Sequence, residues 1–132
     1  MDVFINQVEP RNTAEGELDS ALLAFVKCHV SSPPAWDALR YLAEREGEWV
    51  GASELARSVH RPGIEVIQAM QSLVADGVVE DQAGDLGQTY RLPADEPTTI
   101  VLHRLVETCM HDQQMRMILA AHMLRNTERR AA

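Results

Sequence analysis

Among the residue types that hold metal ions or exchange electrons, this 132-residue chain has Cys28, Cys109 and, in its C-terminal stretch, His103, His111 and His122. Cys28 and Cys109 stand far apart and belong to no CxxC or CxxxH pattern, so both read as the buried free thiols common in helices. His103 and His111 fall about 80° apart on a helical wheel, and Cys109 points to the apolar seam. His111 and His122 share a face but lie about three turns apart, too far to ligate one ion from one helix. They read as ordinary surface or interface histidines, and neither a metal nor a cofactor is expected. No nucleophile elbow, phosphate loop, HExxH or glycine-rich dinucleotide fingerprint occurs, and every acid can be a solvated surface carboxylate, so no enzymatic activity is expected. What remains is cationic. Arg57, His60 and Arg61 form the only basic cluster between residues 33 and 96, where five arginines face twelve acids and leave a local charge of −7.

The whole chain carries −8, with 45% hydrophobic and 24% charged residues. That charge favours solubility and repels nucleic-acid phosphates and anionic membranes at long range. The length suits one domain that needs no disulfide or metal staple. No run approaches the roughly 18 apolar residues that span a bilayer. The leader MDVFINQVEPRNTAEG has neither the basic region nor the apolar core of a signal peptide, so a cytoplasmic protein is expected.

The elements that must position the cluster follow from periodicity and punctuation. Residues 1–16 read as a polar, flexible arm. Leu18, Leu22, Leu23, Phe25 and Val26 have the spacing of a helix over about 17–30. Ser32 is placed to cap the next helix with Pro33 at its first position, and Trp36, Leu39, Leu42 and Ala43 stripe it as far as Gly47. A short strand at 48–51, a helix over 52–59 and a turn at His60-Arg61-Pro62-Gly63 follow. The helix from Ile64 to Asp76 buries Val66, Ile67, Met70, Leu73 and Val74, with Gly77 as its cap. Val78–Asp81 and Thr89–Leu92 form a hairpin around a glycine-containing loop at 82–88. From Thr98 to Arg125 the pattern is helical, with a break foreseen near His111-Asp112, and the final TERRAA is expected to fray.

The string from Ala52 to Val79, ASELARSVHRPGIEVIQAMQSLVADGVV, resembles the winged helix-turn-helix of bacterial transcriptional regulators. Glu54-Leu55-Ala56 opens the first helix of that motif, and Leu73-Val74-Ala75-Asp76-Gly77-Val78 ends the second. The resemblance covers about residues 33–93. It implies a mainly α fold with a small β-hairpin: a winged helix-turn-helix at 17–96 with a leading helix, and a long C-terminal helical segment at 97–132 for dimerisation. It also implies helix 63–76 in the major groove and the wing on a flanking phosphate track. Arg57, His60, Arg61, Gln68 and Gln71 are then the DNA contacts, the glutamines suited to adenine edges and Arg61 to a phosphate or guanine.

Charge works against that reading. Glu65 shares the recognition face, and the wing from Glu80 to Gln88 holds three acids and no base, although phosphate contacts normally supply most sequence-independent affinity. The alternative from a different class is an acidic winged-helix module that docks a basic protein partner without binding DNA. On a wheel of the C-terminal segment, Leu102, Leu105, Val106, Cys109, Met117, Ala120 and Leu124 lie on one side and Ile100, Met115 and Ile118 on the other. A helix apolar on two sides is buried on two sides. A homodimer is therefore expected, with Leu102, Leu105, Met115 and Ile118 at its interface; the alternative is a break near Asp112 that folds the segment into a hairpin burying itself.

Overall fold

The computed structural model describes residues 20–45 and 47–131, with side chains as far as Asn126. The expected arm at 1–16 and Leu18 lie outside the described residues. Helix α1 is described from residue 20 to residue 29 and sinks Leu22, Phe25 and Val26 into the core, as does Val30 just beyond it. Ser32, in extended backbone, caps α2 (Pro33–Glu44) by accepting from the Ala35 amide at 3.4 Å, with proline at the tolerated start. Beyond Arg45 the chain turns at Gly47, whose φ of +86° favours glycine.

The short strand β1 (Val50–Gly51) leads into α3 (Ala52–Val59), and α4 spans Gly63–Ala75. Leu55 and Ala56 of α3 meet Val66, Met70 and Leu73 of α4, all buried, and small Ala56 lets the two short helices approach. The turn between them takes its left-handed residue at His60, φ 59°, rather than at Gly63, which opens α4. At the far end of α4, Gly77 adopts φ +82° and the Val78 amide donates to Leu73 O at 2.9 Å, which stops the helix and aims the chain into the hairpin.

The hairpin is longer than expected. Its strands β2 (Glu80–Gly84) and β3 (Gly87–Arg91) pair from Glu80–Arg91 to Gly84–Gly87, leaving only Asp85-Leu86 as the turn. The foreseen loop at 82–88 is therefore mostly paired strand, because Gly84 and Gly87 serve a two-residue turn. Strand β1 joins the other edge of β3 through Val50–Tyr90, giving the antiparallel order β1-β3-β2.

Helices α5 (Pro97–His111) and α6 (Gln113–Ala131) meet at Asp112. This residue leaves helical geometry and accepts from the amides of Gln114 at 2.9 Å and Met115 at 3.3 Å, so it ends one helix and caps the next. Arg116 ties the joint by donating to Cys109 O at 2.6 Å. Helix α6 then runs beside α2 until Asn126 Nδ2 donates to Ser31 O at 3.3 Å. It continues through residues 127–131 of the stretch expected to fray, which is rich in good helix formers. One apolar core takes side chains from every helix.

The break bears on the residues expected at a dimer interface. Before Asp112 the buried positions are Thr99, Leu102, Leu105 and Cys109; after it they are Met115, Leu119 and His122. The six-residue step from 109 to 115 shifts the phase, so one wheel drawn across both helices mixes two buried faces. Leu102 and Leu105 are fully buried and Met115 is 6% exposed, leaving almost no surface for a second chain, and Ile118 is half-buried. The apolar side chains left outside on these helices are Ile100, Met110, Met117 and Leu124.

Candidate nucleic-acid interface

Helix α4 shows solvent the edge that its core stripe leaves free. Ile64, Glu65, Gln68, Gln71 and Ser72 are exposed, while Ile67 and Ala69 are half-buried. The i, i+4, i+7 spacing of Ile64, Gln68 and Gln71 makes them one ridge. The glutamines border different grooves: Gln68 flanks the one toward Ser31, Ser32 and Pro34, and Gln71 the one toward the hairpin.

The basic cluster does not act as a unit. Arg57 and His60 are exposed at the end of α3, next to the start of α4. Arg61 is turned away. Its Nε donates to Asp37 Oδ2 of α2 at 2.7 Å, with about 30% of each side chain exposed (31% and 29%). Its charge is thus largely answered within the chain, and the site keeps Arg57 as its strong uncommitted cation. Sequence reasoning missed Asp37 because the pair spans 24 residues and carries no local signal.

The hairpin is acidic in three dimensions as well. Asp81 and Asp85 are exposed on it, and its one base, Arg91, stacks 4.3 Å over the Trp49 ring and lies 3.5 Å from Glu80. Its tip is an apolar residue, Leu86, entirely in solvent at 102% relative exposure. An apolar residue inside a turn was the available sequence signal.

The thiols differ from each other. Cys109 is buried as expected, but Cys28 is exposed, since it lies off the stripe formed by Leu22, Phe25 and Val26. Burial pushes the Cys109 thiol above its ordinary pKa of 9.0, with Arg116 and Arg40 pulling the other way and Asp112 adding to the rise. A disulfide-exchange reagent at neutral pH is therefore expected to modify Cys28 fast and Cys109 only on unfolding, read as two phases of released chromophore. Two fast thiols would show that the α5–α6 joint opens readily. No group of three potential metal ligands occurs among the described residues.

A helix pair joined by a tight turn, followed by a three-stranded sheet with a projecting hairpin, is the decisive arrangement. The fold is a winged helix-turn-helix. Solved structures share it. A MarR-family transcriptional regulator from Silicibacter pomeroyi is 20% identical, with 87% of this chain covering 83% of that one at a TM-score of 0.50. The MepR–DNA complex from S. aureus is 12% identical, with coverages of 94% and 98% and a TM-score of 0.51. YusO from Bacillus subtilis is 12% identical, with coverages of 98% and 97% and a TM-score of 0.52. At such identities the likeness establishes the fold. No family model matches the sequence, and no curated protein does. No helix among the described residues is long and apolar enough to cross a membrane.

Proposed function

We propose that the chain is a winged-helix transcriptional regulator, acting without catalysis in the cytoplasm, that binds duplex DNA through α4 as a homodimer. The observation that carries this reading is the polar ridge of α4. Gln68 and Gln71 stand exposed with unspent amides, and Arg57 and His60 flank the head of the helix. Glutamine amides pair with adenine edges in the major groove, and an arginine at the helix head reaches the bordering phosphate. One structure that shares the fold, MepR from S. aureus, is a complex with DNA, which supports the assignment.

Two copies are needed because one offers too few cations. A dimer doubles the phosphate contacts and sets two recognition helices on one duplex. Ile100, Met110, Met117 and Leu124, each more than half exposed on α5 and α6, supply the apolar surface for that pairing.

Replacing Arg57 with alanine tests the site. The slope of log affinity against log salt is expected to fall by about one unit per protomer contact, with affinity reduced on every duplex sequence alike. Arg61→Ala is expected to do less, because Asp37 already holds that guanidinium. An Arg57→Ala protein with unchanged salt dependence would remove the head of α3 from the interface.

A further inference from the structure

Between the outer side of α4 and the wing runs a groove of about 360 Å³, walled by Ile67, Gln71, Val74, Asp81, Gln88 and Tyr90. Ile67 and Val74 give it an apolar wall. Opposite them, Gln88 Nε2 donates to Asp81 Oδ2 at 2.9 Å, which leaves the other carboxylate oxygen and the Gln88 carbonyl as acceptors. Tyr90 is 3% exposed, yet its hydroxyl makes no hydrogen bond to any described residue. Its oxygen borders the groove and is reached by water, which a ligand can replace as hydrogen-bond partner. The wing's only cation does not enter the groove, because strand alternation sends Arg91 to the Trp49 and Glu80 side.

An apolar wall ending in a ring of oxygen acceptors is the complement of an arginine side chain. Its stem is aliphatic, and its guanidinium carries five donors and no acceptor. Beyond the groove, the fully exposed Leu86 next to Asp85 adds an apolar anchor among acids. We propose that the groove between α4 and the wing docks a basic peptide segment of a partner protein, with an arginine seated against Asp81 and Gln88 and an apolar residue against Leu86. Charge complementarity selects this occupant. Phosphates are repelled by Glu80, Asp81 and Asp85, and a second copy finds its apolar pairing surface on α5 and α6 instead. The inference does not rest on the DNA reading: the groove would take the peptide whether or not α4 binds a duplex.

The test titrates the full chain into a short fluorescein-labelled peptide alternating arginine and leucine, and into the same peptide with every arginine replaced by neutral citrulline. Saturable binding at one peptide per protomer is expected, weaker by roughly tenfold for the citrulline peptide. Asp81→Asn, which keeps the Gln88 contact and the fold, is expected to weaken the arginine peptide several-fold, as is Leu86→Ser. Glu107→Gln on exposed α5 is expected to leave it unchanged. In amide spectra the side-chain resonances of Gln71 and Gln88 should move on binding. Equal losses from Asp81→Asn and Glu107→Gln would overturn the proposal, because attraction would then be diffuse. Competition by free arginine amide as effective as by unlabelled peptide would also overturn it, making the groove a small-cation site rather than a docking surface.

Discussion

Leu105→Ala is expected to lower the free energy of unfolding by about 3 kcal/mol, because it removes a fully buried side chain and leaves a cavity that rigid neighbours fill only in part. Leu105 lies on α5 inside the core that α5 shares with the rest of the chain, so the loss belongs to the protomer. Urea unfolding at dilute and at concentrated protein should report the same decrement. Leu124→Ala, 61% exposed on α6, should change protomer stability by less than about 0.5 kcal/mol and act on self-association instead. A Leu105→Ala penalty that vanished on dilution would return this residue to the subunit interface and refute the assignment of the buried face.

The second large effect concerns the wing. Asp85→Lys combined with Leu86→Arg converts the hairpin tip from acidic and apolar to basic, at two exposed turn positions where packing is not disturbed. If the wing lies along the phosphate track, the new cations gain contacts there and random-duplex affinity rises by roughly tenfold at physiological salt, with a steeper salt dependence. The same change should weaken the arginine–leucine peptide. Unaltered duplex affinity would mean that the wing stands clear of DNA, and recognition would then rest on α3 and α4 alone.

Features governed by local chemistry were legible in the sequence. Ser32-Pro33 announces a capped helix start, Gly77 a helix stop, and the two turns of α3 with the ridge of α4 follow from apolar spacing. The features that decide function depend on contacts between distant residues. The capture of Arg61 by Asp37 cannot be seen in either segment, and it removes one of the three cations that the string Arg57–Arg61 displays. The break at Asp112 was visible as a possibility, but its effect on phase was not, so two buried faces were counted as one helix with two sides. Leu86 lies in a stretch that reads as a loop, where an apolar side chain gives no periodicity to interpret. The hydroxyl of Tyr90 left unpaired beside Asp81 emerges only once β3 is aligned between β1 and β2.

Acidity is the main physical objection to a DNA-binding role, and geometry sharpens it. Of the bases between residues 33 and 96, Arg61 and Arg91 face carboxylates, and Arg45 is 2.6 Å from the Tyr41 hydroxyl that itself donates to Glu54. At the head of α4, duplex affinity then rests on Arg57 and His60 of two protomers acting together. It should be modest and strongly dependent on salt.

Fluorescence anisotropy of a labelled random-sequence duplex, titrated with the full chain at low and at physiological salt, tests the DNA reading most directly. The proposed regulator binds at low salt and loses most of that affinity as salt rises, with Arg57→Ala flattening the loss. A folded protein that fails to bind the duplex even at low salt would contradict the reading and leave the acidic wing groove as the functional surface.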